Sequence, residues 1–448
     1  MFSTHDTIVA IATPPGRGGI GVVRVSGPSS LHVAGTLLKL AGPLQPRHAT
    51  FVRAQGDQVV ATYFPAPHSY TGEDVVEVSA HGSPVVLRQI MERAMQAGAR
   101  LAEPGEFTLR AFLNNRIDLV QAEAVADLID AVTPLQARAA FDQLEGTLTE
   151  RIGDIDRDLF DLIARVEASL DFPDEGYHFV EAAEAAASLR ALESKLAALL
   201  CESKRGRLIR EGARVAIAGK PNVGKSSLFN ALLRAGRAIV TPIPGTTRDL
   251  LTETADIEGL RLELVDTAGI RDARDEVEIE GVSRARKASA MSDLVIVVLD
   301  RSQPLEAVDR DLLDETAGAL RLVVANKSDL PAAWPSTEPS VPVEAVSSKD
   351  GDGLDELRVA IRRTLEGSSA IPRDTAVITN VRHAELLDRA RDALRRACES
   401  VESPGGPVPE EFVLTDLQDA RAALEEVTGK RTSEDLLRHI FSRFCIGK

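Results

Sequence analysis

The stretch Ala213 to Asn230 reads ARVAIAGKPNVGKSSLFN. Val215, Ile217 and Ala218 form a short apolar run of the kind a buried strand needs. Gly219 to Ser226 then matches G-x-x-x-x-G-K-[S/T] at every required position, and SSLFNALLRA continues as a helix. Strand, glycine-bounded loop and helix in that order are the context of a phosphate-binding loop. Gly219 and Gly224 let the backbone turn so that successive N–H groups point at phosphate oxygens. A helix starting near Lys225 adds the positive end of its dipole. In such a loop Lys225 reaches the terminal phosphates and the Ser226 hydroxyl ligates magnesium. The competing reading is a chance glycine-lysine turn, and the loops downstream decide against it.

RLELVDTAG is an apolar strand that ends at Asp266 and runs into glycine. An acid and turn of this kind sit near the magnesium and the γ-phosphate in P-loop enzymes. LRLVVANKSD places Asn326, Lys327 and Asp329 at the end of another apolar strand. The Asp329 carboxylate can accept from the ring N–H and the exocyclic amine of guanine together. Adenine cannot supply that pair, and a buried site rejects it because its own polar groups would be left unpaired. VSSKDG, at 346–351, occupies the place where a backbone N–H contacts the guanine carbonyl. Its Ser347-Ser348-Lys349 departs from the common Ser-Ala-Lys. Together the loops predict a Ras-like P-loop GTPase domain that binds GTP and GDP. After Asp266-Thr267-Ala268-Gly269 comes Ile270, where Ras-like enzymes carry a water-positioning glutamine. An aliphatic chain cannot orient water, so either hydrolysis is slow or another residue takes that role. The following RDARDEVEIEG offers Asp272, Asp275, Glu276, Glu278 and Glu280, in a loop expected to order on the γ-phosphate.

At 448 residues the chain is too long for one core, and two to four domains are expected. Hydrophobic content of 44% allows sizeable cores, and aromatic content of 4% favours helix-rich packing over a sandwich. Cys201, Cys398 and Cys445 are far apart and form no C-x-x-C, so neither zinc nor a disulfide framework is indicated. No apolar run approaches a membrane span and the first 25 residues lack a signal-peptide pattern, so no membrane and a cytoplasmic location are expected. A net charge of −16 argues against a general nucleic-acid coat. Residues 1–118 carry 10 Lys+Arg and 9 Asp+Glu, so the acidity belongs to the later domains.

Short strand-like runs punctuated by Gly and Pro open the chain: TIVAIAT (7–13), GIGVVRVSG (19–27), ATFVRA (49–54), VVATYF (59–64) and DVVEVSAHG (74–82). A helical stretch follows at 84–99, and the whole reads as an α+β domain. From Asp118 apolar residues recur at three- and four-residue intervals, as in the stripe Ile155, Leu159, Leu162, Val166 and Leu170. Pro134 and Pro173 break the run. Helical patterning returns at 379–400 and 415–429. The expected architecture is multidomain, α/β and α. An α+β amino-terminal domain spans 1–118, and a helical bundle is built from 119–208 and 370–448. The GTPase domain, 209–369, is inserted between the bundle's halves, which close-lying ends make physically easy.

The chain resembles the family of tRNA-modification GTPases called MnmE or TrmE along its whole length. The likeness rests on TPPGRGGIG near the start, YTGEDVVE (70–77), PGEFTLRAFLNNRIDLVQAEAVADLIDA (104–131), GTTRD (245–249), the GTPase loops and the terminal FCIGK. It implies a homodimer whose amino-terminal domain binds a formyl-tetrahydrofolate as one-carbon source. It also implies a partner flavoprotein, MnmG or GidA, which brings FAD, and joint modification of the wobble uridine of certain tRNAs. By position, Arg24, Glu77, Arg116 and Lys448 are the implied folate contacts, with Arg116 where the family also uses lysine. Cys445 matches the family's carboxy-terminal cysteine and is a possible reactive residue. Read without the family, Arg24 and Glu77 are ordinary strand charges, Arg116 a surface ion-pair partner and Cys445 a small apolar residue.

The resemblance further implies nucleotide contacts from Asn222, Val223, Gly224, Lys225, Ser226 and Ser227, and from Thr241, Pro242, Ile243, Pro244, Gly245, Thr246 and Thr247. It implies others from Asp266, Thr267, Ala268 and Gly269, from Asn326, Lys327 and Asp329, and from Ser347, Ser348 and Lys349. Magnesium is implied at Ser226 and Thr247, and potassium at Asn222, Thr241, Ile243 and Thr246. For Asn222 the residues alone leave open a hydrogen bond that merely braces the loop. Glu278 is the implied catalytic glutamate, orienting the attacking water. Two other readings share the GTPase motifs: a ribosome-assembly GTPase without a folate pocket, and a regulatory switch without modification chemistry.

Overall fold

The computed structural model describes residues 5–40, 42–54, 56–171, 182–235, 237–238, 252–266, 292–335, 338–367, 377–403 and 410–448. Its contacts divide the chain into two units. One comprises Met1–Ala126, Gln143–Leu192 and Arg389–Lys448, and the other Asp127–Asp142 and Glu193–Asp388.

In the first unit six strands form one sheet: β1 (Ile8–Ile11), β2 (Gly18–Ser26), β3 (Thr50–Ala54), β4 (Asp57–Phe64), β5 (Val75–Gly82) and β6 (Arg100–Leu101). Their order is β3-β4-β5-β2-β1-β6. Each of the five strand-like runs of the sequence is found in it. Side chains alternate across a strand, so Val9, Val23, Val25, Val59, Val76 and Val78 line one face. Helices α1 (Ser30–Leu38) and α2 (Pro84–Gln96) cover that face through Val33, Leu37, Leu87 and Ile90. At nine residues α1 is too short for a helical period to stand out in the sequence. The other face holds the paired positions Phe51–Val60 and Val60–Ser79, and the cross-strand pair Arg24–Glu77. It leaves Ile20 at 71% and Phe51 at 64% exposure.

Helix α3 (Glu106–Leu113) leads into α4 (Leu119–Asp130). The Arg110 guanidinium is buried beneath the sheet's edge. It donates to Asp6 Oδ1 (2.6 Å), Glu106 Oε1 (3.0 Å) and Glu73 Oε1 (3.1 Å), so three distant stretches meet on one side chain. After α5 (Pro134–Leu144) comes the long helix α6 (Thr147–Asp171). Its stripe Ile155, Leu159, Leu162 and Val166 is buried as the spacing predicts, with Leu170 half-buried. Against α6 lies a helix from the far end of the chain (Glu410–Thr428), which buries Val413, Leu417, Ala420 and Leu424 and joins α6 through Arg421 and Asp156. The bundle is therefore built from both flanks of the nucleotide-binding segment.

In the second unit seven strands form a doubly wound sheet: β7 (Ala213–Ala218), β8 (Arg237–Ala238), β9 (Thr252–Ile257), β10 (Leu260–Asp266), β11 (Leu294–Asp300), β12 (Arg321–Asn326) and β13 (Val343–Val346). Their order is β13-β12-β11-β7-β10-β9-β8. Strands β7, β10, β11, β12 and β13 are mutually parallel. Strand β11 is buried at all seven positions, as a parallel strand covered on both faces must be. Helices Ser203–Glu211, Lys225–Ala235, Ala307–Glu315 and Leu354–Glu366 flank the sheet. Leu228, Leu232, Leu357 and Ile361 fill one side of the core.

Candidate functional site

In a doubly wound sheet ligands bind outside the carboxyl ends of the strands, where the strand order reverses. Strand β7 lies between β10 and β11, and the phosphate-binding sequence leaves its carboxyl end at that point. Helix Lys225–Ala235 follows, so its N-terminal turn faces the loop it caps. Lys225 Nζ donates to the carbonyls of Gly219 (2.9 Å) and Lys220 (2.8 Å), which folds its ammonium over the loop. Ser226 and Ser227 are exposed in the first turn, and Val223 is buried beneath it. Gly224 is obligatory: its φ is +94°, and any Cβ there would strike the Asn326 amide. Lys220 is bound from the side by Asp309 (2.9 Å) and Glu306 (3.2 Å). Burial pulls this ammonium down, but the two carboxylates outweigh it and hold it above the usual lysine range.

The N-K-x-D residues tie the loops together. Asn326 is fully buried at the end of β12. Its Nδ2 donates to Val223 O (2.8 Å), and its Oδ1 accepts from Ser348 N–H (3.1 Å). One side chain thus joins the phosphate loop to the third base-contact loop. Lys327, at φ +65°, donates to Asn222 O (2.9 Å) and to Asp300 Oδ2 (2.7 Å). Asp329 accepts from the buried Ser347 hydroxyl (3.0 Å), which itself accepts from Asp350 N–H, so the carboxylate is fixed in orientation. Lys349 Nζ stands 4.0 Å from its other oxygen.

Asp300 escaped the sequence reading. The signal was present: the apolar run LVIVVLD ends in an acid at a strand's carboxyl end. Burial pushes the Asp300 carboxyl up, but Lys327 and the Ser302 donors outweigh it and hold it below the usual aspartate range. The backbone of Asp266 pairs with Ile217, so β10 also ends beside the phosphate loop. Thr241, Pro242, Ile243, Pro244, Gly245, Thr246, Thr247, Thr267, Ala268, Gly269 and Glu278 lie outside the described residues, as does the Asp266 side chain.

A second polar cluster lies in the first unit. The Arg24 guanidinium pairs with Glu77 at 2.8 Å and lies over two rings, 5.0 Å from the centre of Tyr70 and 5.7 Å from that of Phe107. Phe107 N–H donates to Lys448 O (3.1 Å), which ties the last residue to the backbone of the same phenylalanine. Gly105 N–H reaches Cys445 O, and the Cys445 side chain is exposed. Arg116 runs along Gly72: a Cβ on that glycine would stand 3.1 Å from Arg116 Cγ. The loop 70–73 is held from behind, because Asn114 donates to Thr71 O and Ser26 donates to Glu73. Arg24, paired with Glu77, thus lies over Tyr70 and Phe107, the Lys448 carbonyl meets the Phe107 backbone, and Arg116 borders the adjoining loop. Among the described residues no group of three His, Cys, Asp or Glu could hold a metal ion, and no helix is long and apolar enough to cross a membrane.

Two family models match the chain, the MnmE helical domain over residues 119–445 and the GTP-binding protein TrmE N-terminus over residues 7–116. The tRNA modification GTPase MnmE of Koribacter versatilis is 46% identical over 458 residues, covering 100% of both chains. The protein of the same name from Nitrosomonas europaea is 44% identical over 457 residues, again covering 100% of both. That of Symbiobacterium thermophilum is 44% identical and covers 99% of this chain and 100% of its own. With both models matched and these relatives aligned from end to end, the chain belongs to the MnmE family of tRNA modification GTPases.

Proposed function

We propose that this GTPase drives the addition of a carboxymethylaminomethyl-type group at C5 of the wobble uridine of certain tRNAs. It acts as a cytoplasmic homodimer with a flavoprotein of the MnmG (GidA) kind, which carries FAD. The one-carbon unit comes from a formyl-tetrahydrofolate. The observation that carries this reading is the Arg24–Glu77 pair lying over Tyr70 and Phe107, with the last residue tied by its carbonyl to the Phe107 backbone. A guanidinium–carboxylate pair that keeps part of its surface exposed offers both donors and an acceptor to a heterocycle, and the rings beneath hold the guanidinium in place. When bound there, the folate supplies the carbon. Arg24, Glu77, Arg116 and Lys448 would hold and orient it. The exposed apolar residues Ile20, Phe51 and Val60 on the same sheet favour a face covered by a second copy.

The nucleotide site fits magnesium and potassium by donor chemistry, since hydroxyl and carbonyl oxygens suit hard cations. Ser226, with Thr247, would hold magnesium. Asn222, with Thr241, Ile243 and Thr246, would hold potassium, whose charge would act where an arginine finger otherwise serves. The test is reconstitution of this chain with the flavoprotein, tRNA, GTP, a formyl-tetrahydrofolate and glycine, the source of the carboxymethylamino part. A reductant for the flavin, which takes the formyl carbon to the methylene level, is included, and the modified wobble nucleoside is scored. We expect product in potassium and little in sodium at matched ionic strength, and none without the folate. Equal product with and without folate would sink the one-carbon assignment, and equal rates in the two salts would sink the potassium site.

A further inference from the structure

Residues 127–142 lie in the bundle portion of the sequence, yet they cluster with the nucleotide unit. On both sides they continue directly into the first unit, at Ala126 and at Gln143. Three contacts anchor them. Arg210 donates twice to Asp127, at 2.8 and 2.9 Å. Gln136 Nε2 donates to Arg210 O (2.9 Å). Leu135 and Ala139 pack on the core that contains Ile257 and Leu260. The segment has a rigid start: Thr133, Pro134 and Gln136 make a capping box, in which Gln136 N–H donates to Thr133 Oγ1 and Thr133 N–H to Gln136 Oε1.

The point of contact is the turn between β9 and β10. Its two residues, Glu258 and Gly259, both have positive φ, 54° and 87°. That is the hairpin turn whose twist suits the flanking strands. A Cβ on Gly259 would stand 3.3 Å from Leu135 Cβ. On another side Arg362 donates to Glu258 O (3.0 Å), and Arg358 pairs with the Glu258 carboxylate at 3.1 Å. The turn is therefore gripped by the exit helix, Leu354–Glu366, and by Leu135. From the turn, β10 runs in register with β7 to Asp266, beside the strand that launches the phosphate loop. Strand β9 follows residues 239–250 in the chain and β10 precedes residue 267, so the hairpin joins the stretch with the implied magnesium and potassium contacts to the stretch expected to order on the γ-phosphate.

We propose that residues 127–142 sense the β9–β10 hairpin, and that Leu135 is the contact through which the nucleotide state reaches the helices on either side of the segment. Leu135 is a positioning residue here, not a catalytic one. The proposal rests on the assigned nucleotide site, because a ligand shifts a distant element only through differential contacts in its two states.

Hydrogen exchange on the full chain, with GDP and with a non-hydrolysable GTP analogue, tests it. In the wild type we expect the two nucleotides to give different protection at 134–142 as well as at 213–230. In Leu135→Ala the difference at 134–142 should shrink several-fold while that at 213–230 stays, and Leu135→Met should restore it. Leu135 is only half-buried, so the shortened side chain leaves the core in place. A wild-type segment that ignores the nucleotide while 213–230 responds overturns the proposal, and so does a Leu135→Ala response equal to wild type. No response at 213–230 in the wild type would instead indict the nucleotide site itself.

Discussion

Arg110 and Lys327 are both basic side chains that hold a site together, and they do so by different means. Arg110 is 1% exposed and gathers carboxylates from Asp6, Glu73 and Glu106. Lys327 is 31% exposed and rests on one carboxylate, Asp300, and one backbone carbonyl, that of Asn222. The first unit fixes its site with side-chain charges brought from distant stretches. The nucleotide unit fixes its loops largely with backbone groups at the carboxyl ends of strands, and Asn326 does the same through Val223 O and Ser348 N–H. A site of the first kind loses more when one charge is removed, because the carboxylates gathered by Arg110 are then left to Arg100 and to neutral donors. One of the second kind loses only the groups deleted.

The largest expected effect breaks the comparison directly. Arg110→Met should destabilise the first unit by about 3 kcal/mol, the low end of the cost of breaking a buried charge cluster, because Arg100 still pairs with Asp6 and Glu106. Lys327→Met should cost the nucleotide unit clearly less, since Ser302 still donates to Asp300. Denaturant unfolding followed separately in the two units measures both, and equal losses would refute the distinction.

A smaller effect separates anchoring from chemistry. The family resemblance implies Glu278 as the residue that orients the attacking water, apart from the loops expected to hold the nucleotide, so Glu278→Ala should bind GTP normally yet hydrolyse it about a hundredfold more slowly. Glu276→Ala should stay near wild type. Single-turnover rates equal in the two variants would move the role elsewhere in that loop.

The smallest effect is a pH dependence. Burial raises the Asp6 and Glu106 carboxyls, but hydrogen bonds from Arg100 and Arg110 outweigh it and hold both below the usual range. Carboxyls depressed in the folded state stabilise it fully above their unfolded values, and that contribution is lost as pH falls through the folded values. The first unit should therefore hold its stability from neutral pH down to about 5 and lose it below about 4. Glu106→Gln should flatten that loss in urea titrations at stepped pH. An unchanged slope would remove Glu106 from the acid response.

Much of the nucleotide site was legible because its parts are contiguous in the chain. GKPNVGKS, NKSD and VSSKDG each carry their chemistry within eight residues, and each follows an apolar run that reads as a strand. The helix stripe on α6 was legible for the same local reason. Asp300 was legible in principle, as an acid ending a buried strand, but nothing near it in sequence names Lys327 as its partner. Arg24 and Glu77 are visible only as strand charges, and the cross-strand register that pairs them is a property of the sheet.

By itself, then, the sequence determined the strand–loop–helix at 213–235, the N-K-x-D loop at a strand's carboxyl end and the amphipathic helices, because backbone geometry and periodicity are written in neighbouring residues. Tertiary structure alone decided what closes over long separations. Arg110 meets Asp6 across 104 residues. Asn326 reaches Val223 across 103. Leu135 comes to rest against Gly259, and the terminal Lys448 against Phe107. No local pattern encodes such pairs, since each depends on which faces the folded sheets and helices bring together.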